Sequence, residues 1–447
     1  MKPDRPTVSR AFASRGGPWV LLVLWLASLA APGALGAANP EPYPSADSKK
    51  GLQVQMVDDA IALGIRHAAL NFNLAQLVDP RGDTNNPGFE FGGRTHRFQQ
   101  GYLGAMDGQI RALSERGIIV SLILLNYESA DSEVRKILLH PGYSTNCPNH
   151  LSAFNTATPE GRAWYEASIT FLAERWSRAD GRHGRVWNWI VGNEVNSHWF
   201  WSNLGLSTVE AFAADYERTV RLTHRAVRRH SGHGRVFLSL EHHWNIAYPG
   251  GKEGQVFAGR PFLEEFARRA RAGVDGDYDW HLAFHPYPED LFNPRSWRDA
   301  SARPDWRTTP RITFRNLRAL GEFLDQPALQ HRGRTRRVIL SEQGFHTPDG
   351  PEGEAIQAAA FCYAWHQVAA EPGIDAFILH RHVDHAHEGG LRLGLWTHAP
   401  GSVSTPDRRK PIHEVFRQAD TPGRDAAFAF ALPLLGIGSW DERDRAR

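Results

Sequence analysis

The amino-acid sequence predicts an α/β protein whose parallel strands close into a (β/α)8 barrel of the TIM type. Helix and strand signals alternate through nearly the whole chain from residue 48 onward, and such alternation is typical of a parallel sheet. Two apolar segments run directly into a glutamate, residues 186–194 (VWNWIVGNE) and residues 338–342 (VILSE). Since a parallel barrel assembles its functional groups at the carboxyl ends of its strands, these glutamates are the first candidates for chemistry.

Length and charge agree with one large soluble domain. The chain has 447 residues, of which 41% are hydrophobic and 22% charged, and one barrel with long loops can absorb most of that length. The formal net charge is only +2, and the basic residues are scattered, so no nucleic-acid partner is predicted. A small cluster at Arg334, Arg336 and Arg337 precedes a predicted strand and is expected in a solvated turn.

Residues 1–37 predict a signal peptide. Its positively charged start is formed by Lys2, Arg5, Arg10 and Arg15. An apolar run over 19–30 (WVLLVLWLASLA) and small residues over 34–38 (ALGAA) follow. The run is too short and wrongly flanked for a membrane span, although an uncleaved anchor is the alternative. We therefore expect a secreted or periplasmic protein without stable membrane insertion, in which residues 38–447 form one domain with a C-terminal extension.

The two cysteines, Cys147 and Cys362, leave the disulfide question open. A bridge between them could form in an oxidising compartment. Two cysteines define no disulfide framework and no metal-ligand spacing, however. Nothing in the sequence predicts an oligomeric state.

The first predicted units lie before residue 126. Residues 48–63 carry apolar residues at helical spacing and end at Gly64, which predicts a helix, and residues 65–73 then predict a strand. Residues 103–113 predict the next helix, and residues 118–125 (IIVSLILL) predict a strand that is buried on both faces.

The later units follow the same pattern. Thr158 and Pro159 predict the N-cap and first turn of the helix that leads into the strand before Glu194. Ser207 and Glu210 form a capping-box pattern at the start of the next helix. The remaining strands are predicted over residues 235–241, 281–285, 338–342 and 374–380.

The strand count leaves the first barrel strand without a place. If Glu194 closes the fourth strand, the first strand should precede residue 48, yet residues 38–46 (ANPEPYPSA) are too rich in proline for a central strand. We therefore expect an irregular or missing first strand, or a reading frame that begins late. A further alternative is that the apolar run over 19–30 occupies this position.

Three motifs resemble those of clan A of the retaining glycoside hydrolases. They are Asn193-Glu194 after one strand, His285-Pro286-Tyr287 after a later one, and Glu342 after the next. The resemblance covers residues 48–416 and implies a (β/α)8 barrel, with an acid/base glutamate after the fourth strand and a nucleophilic glutamate after the seventh. The predicted strand interval between Glu194 and Glu342 matches. The whole chain also resembles an uncharacterised bacterial family described only as a domain of unknown function.

The resemblance implies hydrolysis of a glycosidic bond in a poly- or oligosaccharide without a cofactor. Glu342 would attack the anomeric carbon while Glu194 protonates the leaving oxygen, which requires the two carboxyl groups to stand about 5–5.5 Å apart. Asn193 would donate a hydrogen bond to the sugar 2-hydroxyl, and Tyr287 or His285 would orient Glu342. The alternative is that Asn193 only shapes a turn and Tyr287 is a packed aromatic.

Further polar and aromatic residues just past strand ends are candidates for sugar contacts. They are Asn71, Asn126, Trp199, Trp201, His242, Trp244, His380 and Trp396. For the tryptophans, core packing is the alternative. Asn71 and Asn73 alternate along one strand, so only one of the two can face inward.

The histidine-rich segment 379–387 (LHRHVDHAH) raises a metal alternative. His380 and His382 share a face if the strand continues, and with Asp384 they could hold zinc. Metal-dependent barrel hydrolases carry a His-x-His pair on the first strand, whereas this pair is on the last, so no metal is predicted. Three hypotheses remain: a secreted retaining glycoside hydrolase, a non-catalytic glycan-binding barrel, and a metal-dependent hydrolase that uses this segment. Loops determine sugar identity, linkage, and endo or exo action.

Overall fold

The computed structural model describes residues 38–446, and eight parallel strands within them close into a barrel. The barrel strands are β1 (Lys50–Gln53), β2 (His67–Asn73), β5 (Ile119–Leu125), β6 (Asn188–Val191), β7 (Arg235–Glu241), β8 (Trp280–His285), β9 (Val338–Leu340) and β10 (Ile374–Leu379). Two antiparallel hairpins stand outside the barrel: β3 (Gly88–Phe91) with β4 (Arg94–Arg97), and β11 (Trp396–His398) with β12 (Pro406–Arg409). The predicted (β/α)8 TIM-barrel fold is confirmed.

Helices connect the strands and cover the outside of the barrel. They are α1 (Val57–Ala62), α2 (Leu74–Leu77), α3 (Gln100–Ser114), α4 (Ser132–Leu138), α5 (Pro159–Trp176), α6 (His198–Trp201), α7 (Val209–His230), α8 (Gly259–Ala272), α9 (Arg318–Leu324), α10 (Gly353–Ala369), α11 (Pro411–Gln418), α12 (Arg424–Phe428) and α13 (Ala431–Leu435). Thr158 caps α5 as predicted, because its hydroxyl accepts a hydrogen bond from the Gly161 amide. The cap of α7 is Thr208 rather than the predicted Ser207.

The first strand is present, and the prediction about it was wrong. Residues 48–63 do not form one helix, because they contain β1 followed by α1. Strand β1 pairs in parallel with β2 on one side and β10 on the other, which closes the barrel. A strand of only four residues offers too little period-two pattern to be distinguished from a helical start. Every strand position after it in the predicted count is therefore filled as expected.

Gly51 explains why such a short strand can close the barrel. A Cβ atom at this position would lie 2.9 Å from the Cβ of His67 and 2.9 Å from the Cγ1 of Ile378. These residues belong to the two neighbouring strands, so only glycine allows both to approach. The glycine thereby sets the height at which Gln53, the last residue of β1, enters the site.

The core has two layers, and the inner layer forms the floor of the site. Inside the barrel a small cluster is filled by Ala69, Ile123, Leu125, Leu151, Ile190, Phe237, Ala283, Ile339, Ala376 and Ile378. A larger cluster lies between the strands and the surrounding helices. The alternation of side chains along each strand divides them between the two layers. The barrel is therefore packed solid below the strand ends, and chemistry is confined to the top.

Two predictions about the chain as a whole can be compared with this fold. Cys147 and Cys362 are both buried and free, so the disulfide that the sequence left open does not form. Among residues 38–446, no helix combines the length and the apolar character that crossing a bilayer requires. The predicted signal peptide over residues 1–37 lies outside the described residues.

Candidate active site

Glu194 reaches the top of the barrel through a left-handed backbone conformation. It lies three residues past the end of β6 and has φ 42° and ψ 50°. A non-glycine residue pays about 1–2 kcal/mol for that conformation. Ser239 of β7 stabilises this conformation, because its hydroxyl accepts a hydrogen bond from the Glu194 amide at 2.9 Å. Strained residues held in this way are concentrated at functional sites.

Glu342 lies two residues past the end of β9 and is held by one donor on each carboxylate oxygen. The Tyr287 hydroxyl donates to Oε1 at 3.2 Å. The Gln53 side-chain amide donates to Oε2 at 2.9 Å. The two donors come from β1 and from the loop after β8, on opposite sides of β9 in the barrel order. The carboxylate is therefore clamped in one orientation.

His285 connects the two glutamates. Its Nδ1 atom lies 2.8 Å from Oε1 of Glu194, and its Nε2 atom lies 3.0 Å from Oγ of Ser341, the residue before Glu342. One ring nitrogen of His285, one oxygen of Glu194 and one oxygen of Glu342 all lie within 4.8 Å of one another. The structure thus brings together the two glutamates and the two residues of the His-Pro-Tyr motif that the sequence predicted for the site, His285 and Tyr287.

The pKa values of the two glutamates move in opposite directions. Burial raises the pKa of Glu194, the negative charge of Glu342 raises it further, and the hydrogen bond with His285 only partly opposes them. Burial also acts to raise the pKa of Glu342, but the positive charges of His380 and His285 and the hydrogen bond from Gln53 outweigh it. The pKa of Glu342 therefore lies below its ordinary value. The two shifts favour ionisation of Glu342 and retention of a proton by Glu194.

A cleft of about 360 Å³ opens above the two glutamates. Its aromatic walls are formed by Phe200, Trp201, Tyr248 and Tyr287. Its carboxylates are Glu194, Glu241, Glu342 and Glu388, and its histidines are His242, His243 and His387. No lysine or arginine is among the described residues that line it. The cleft therefore combines flat apolar surfaces with several carboxyl groups.

Glu241, the last residue of β7, is a third buried carboxylate, but its oxygens are already occupied. Oε1 accepts hydrogen bonds from the side chains of Asn196 at 2.6 Å and Ser197 at 3.1 Å. Oε2 accepts from the His243 amide at 2.8 Å and lies 2.6 Å from Nδ1 of His243. Burial acts to raise the pKa of Glu241, yet these contacts and the charge of His243 lower it to about 2. Glu241 organises the loops after β6 and β7.

Comparison with known proteins places the chain in a family. A family profile matches residues 42–443. The chain belongs to DUF5722, a family of unknown function. No curated protein has significant sequence similarity to this DUF5722 protein.

Solved structures share its fold at low identity. A family 39 glycoside hydrolase from Bacteroides cellulosilyticus WH2 is 14% identical with a TM-score of 0.52, and the match covers 86% of this chain but 66% of that enzyme. A glucosidase from Croceicoccus marinus is 12% identical with a TM-score of 0.52, over 86% of this chain and 69% of the other. A β-glucosidase from Pyrococcus furiosus is 14% identical with a TM-score of 0.52, over 87% and 86%. The likeness extends to the (β/α)8 barrel.

Several residues predicted to contact sugar lie elsewhere in the DUF5722 protein. Trp244 is completely buried, donates its indole N–H to the Trp306 carbonyl at 2.9 Å and packs edge-on against Phe323, so it belongs to the core. Asn126 is 1% exposed and donates to two backbone carbonyls at 2.8 and 3.1 Å, which ties together the loops after β5. Trp396 donates to Asp59 and lies against α11 rather than in the cleft. Strand-end position alone does not determine which way a side chain points.

The other predicted contacts divide between two places. Trp201 and His242 line the cleft, whereas Trp199 is half-buried outside its lining. Asn71 lines a separate cleft of about 370 Å³ beside β1 and β2, which reaches Gln53. Asn193 is 8% exposed and directly precedes Glu194. Its hydrogen bond to a sugar 2-hydroxyl stays a prediction.

The histidine-rich segment is dispersed over several partners, which disfavours the metal alternative. His380 contacts Gln53 and Glu388, His382 contacts Asp59 at 3.0 Å, and Asp384 pairs with Lys410 at 2.9 Å. In residues 38–446, the convergent groups of three potential donors are Glu241 with His242 and His243, and Glu194 with His285 and Glu342. The segment 379–387 contributes to neither group. His380, predicted to contact substrate, instead lies behind Gln53 and is 8% exposed.

The sequence reasoning missed Gln53, Ser341, Glu241 and Glu388. Gln53 was hidden because β1 was interpreted as part of a helix. Glu241 ends the segment RVFLSLE in the same way that Glu342 follows VILS, so strand-end position was a signal that could have found it. Glu388 lies in a loop eight positions after His380, and no local pattern indicates that the two side chains meet.

Proposed function

We propose that this DUF5722 protein is a glycoside hydrolase that acts by a retaining double displacement, with Glu342 as nucleophile and Glu194 as acid and then base. The observation that carries the proposal is the carboxylate pair, with oxygens within 4.8 Å and pKa values that move apart. Retaining enzymes place their carboxyl groups about 5–5.5 Å apart, whereas inverting enzymes need about 6.5–9.5 Å to admit a water. The short separation supports retention.

In the first step, ionised Glu342 attacks the anomeric carbon while the Glu194 carboxyl donates its proton to the glycosidic oxygen. The bond between carbon and leaving oxygen breaks, and a glycosyl ester forms on Glu342. Tyr287 and Gln53 hold the two Glu342 oxygens, so the attacking lone pair is already aimed. The contact with His285 at 2.8 Å orients the Glu194 carboxyl group.

In the second step, Glu194 acts as base. Glu194 gave up its proton in the first step, and esterification removes the negative charge of Glu342 that had raised the pKa of Glu194, so Glu194 remains a carboxylate. As a carboxylate it takes a proton from water, the water attacks the anomeric carbon, and Glu342 leaves. The sugar is released with the configuration it had in the substrate.

The charge of the cleft supports an uncharged poly- or oligosaccharide as substrate. The described lining of the cleft includes no lysine or arginine that could pair with a uronic acid or a sulfate, whereas it includes the carboxylate of Glu342. Buried like charges repel strongly because the local dielectric is low. The aromatic walls offer faces on which apolar sugar surfaces can stack. Because the structures of similar fold include β-glucosidases, aryl β-glucosides are the first substrates to test.

The deciding experiment is a screen of the purified protein against neutral aryl glycosides, aryl glucuronides and polysaccharides. We expect turnover of a neutral sugar, and proton NMR of the first product should show the substrate's anomeric configuration. Glu322→Gln on α9 is the matched control for glutamine variants of Glu194 and Glu342. Glu322 is exposed and pairs with Arg318 outside the barrel. An inverted product would refute retention. Glycan binding without turnover of any substrate would favour the non-catalytic glycan-binding barrel.

A covalent intermediate can be sought directly. A 2-deoxy-2-fluoro glycoside of the preferred sugar with an activated leaving group such as dinitrophenolate should accumulate as an ester, because the fluorine slows both steps and the leaving group restores the rate of the first step only. Peptide mass spectrometry is expected to place the label on Glu342. A label on Glu194 or Glu241 would overturn the assignment of the nucleophile.

We further propose that the protein is exported to the periplasm or the medium, on the pattern of residues 1–37. Fractionation of cells that express the full chain and a chain lacking residues 2–37 is the test. We expect only the full chain outside the cytoplasm. Equal retention of both in the cytoplasm would contradict export.

A further inference from the structure

A chain of buried polar residues leads away from Glu342 on the side of β1 and β10. Gln53 donates its amide N–H to Oε2 of Glu342, and its Oε1 atom lies 2.5 Å from Nδ1 of His380. The Nε2 atom of His380 lies 3.0 Å from Oε1 of Glu388. Arg381 pairs with the other oxygen of Glu388. We call Gln53, His380 and Glu388 the nucleophile chain.

Hydrogen-bond polarity determines the charge of His380. Ionised Glu342 only accepts, so Gln53 must present its NH2 group to Glu342 and its carbonyl oxygen to His380. Nδ1 of His380 must therefore carry a hydrogen. Although burial opposes it, the contacts with His380 and Arg381 lower the pKa of Glu388 to about 2, so Glu388 also only accepts. Both ring nitrogens of His380 therefore face acceptors, an arrangement that favours the doubly protonated ring.

The chain leaves an excess of positive charge beside Glu342. The single carboxylate of Glu388 is shared by two cations, His380 and Arg381. His380 is 8% exposed, so its charge acts on Glu342 with little screening by water. Gln53 carries no titratable proton, and it therefore transmits orientation without delivering a proton to Glu342.

Several charged and titratable groups surround this chain. Those that act on Glu342, by direct contact or by charge, are Glu194, His285, Tyr287, Tyr127, His380 and Glu388. Those that act on His380 are Glu388, Glu342, Arg381 and His385. His285 already shares its polar hydrogens with Glu194 and Ser341. His285 thus contacts Glu194 and Ser341 directly, whereas His380 is linked to Glu342 through Gln53.

We propose that the nucleophile chain positions Glu342 and that the charge of His380, held by Glu388 and aligned through Gln53, stabilises the Glu342 carboxylate. This inference rests on the proposed function. His380 and Glu388 are positioning residues, because they act on the reacting carboxylate through Gln53. The charge has two uses: it keeps Glu342 ionised for attack, and it stabilises Glu342 again as the leaving group in the second step.

His380→Asn separates charge from shape. The asparagine NH2 group can replace the Nδ1–H donor to Gln53, but it carries no charge. We expect the acidic limb of the kcat/KM profile, set by Glu342, to move up by about one pH unit. The basic limb, set by Glu194, should stay in place, and KM should change less than kcat. A uniform loss of activity at every pH would indicate a merely structural role and overturn the proposal.

A matched control and a stronger variant accompany this test. His233→Asn is the control, since His233 is exposed in the loop before β7, at the opposite end of the barrel strands. We expect its pH profile to equal that of the parent protein. Gln53→Glu keeps the shape of Gln53 but sets a carboxyl group against Glu342, so the acidic limb should move up by more than in His380→Asn. An unmoved limb in Gln53→Glu contradicts the proposal.

A spectroscopic measurement makes the test independent of catalysis. Histidine-selective 15N labelling of the full protein reports whether each ring nitrogen carries a hydrogen, and His380→Asn assigns the His380 signals. We expect both His380 nitrogens to be protonated at pH 7.5. A neutral ring would overturn the inference even if the enzyme is active. If no substrate is turned over, a protonated His380 would still establish the chain while the proposed function fails.

Discussion

Glu194 and Glu241 stand at neighbouring strand ends, both are buried and each contacts a histidine, yet their pKa values move in opposite directions. The pKa of Glu194 is raised, and that of Glu241 is lowered to about 2. Burial acts in the same direction on both. The difference is the number of donors: Glu241 receives hydrogen bonds from Asn196, Ser197 and His243, whereas His285 is the partner of the Glu194 carboxyl group.

This contrast shows how one barrel can use one glutamate as an acid and another to hold loops in place. A carboxylate surrounded by donors is stabilised in its charged form and organises loops. A carboxyl group with few donors and a like charge nearby retains its proton and can donate it to a substrate. Burial alone would have suggested the same role for both residues.

The largest expected effect is a difference in kcat between variants of the two glutamates. Glu194→Gln removes the proton donor and should lower kcat about 10²- to 10⁴-fold on sugars with poor leaving groups. The loss should be much smaller on dinitrophenyl glycosides, which need no protonation. Glu241→Gln keeps part of its hydrogen-bond network, and we expect a loss below about tenfold with no dependence on the leaving group. Steady-state kinetics on both substrates measure this, and a leaving-group dependence in Glu241→Gln would refute the division of roles.

The next effect separates them by stability. Glu241→Ala leaves Asn196, Ser197 and His243 without their shared acceptor, and we expect the free energy of unfolding to fall by about 3–5 kcal/mol. Glu194→Ala should change it far less, because its carboxyl group has few partners and lies near a like charge. Urea unfolding followed by tryptophan fluorescence compares the two. Equal losses in the free energy of unfolding would show that both glutamates stabilise the fold.

A third effect appears in the dependence of stability on pH. The pKa of Glu241 is lowered from 4.5 to about 2 in the folded protein. Its contribution is therefore present above pH 4.5 and is lost as the pH falls toward 2, and it amounts to roughly 3 kcal/mol. We expect Glu241→Gln to flatten the unfolding curve in that window, as measured by urea titrations at several pH values. The window between about pH 5 and pH 2 follows from these two pKa values. If the unfolding free energy of Glu241→Gln depends on pH in this window as steeply as that of the parent protein, the lowered pKa does not belong to Glu241.

The smallest effect concerns the strained backbone of Glu194. Ser239→Ala removes the hydroxyl that accepts from the Glu194 amide. We expect a loss of about 1–2 kcal/mol in stability and a several-fold fall in kcat, because the acid is less well placed. Ser341→Ala provides the comparison, since it removes the contact of His285 instead. A Ser239→Ala protein with unchanged kcat would show that the conformation does not depend on this contact.

Much of the fold was predictable because its signals are local. Thr158 with Pro159, the buried segment 118–125 and the two segments ending near Glu194 and Glu342 each carry their pattern within a few residues. The first strand was missed because β1 has only four residues and its apolar spacing also fits a helix. The closing strand is recognisable through its pairing with β2 and with β10, and β10 lies at the far end of the barrel sequence.

The sequence by itself determined the barrel class and the position of two glutamates just after barrel strands. Strand periodicity and strand-end position are properties of contiguous residues, which is why the sequence records them. Only the tertiary structure decided which side chains act on those glutamates. Trp244 and Asn126 turn into the protein, Gln53 comes from the end of β1 and Glu388 from the loop after β10, and the pKa values of Glu194 and Glu342 move in opposite directions. Each of these depends on distances through space and on exclusion of water, which no local pattern records.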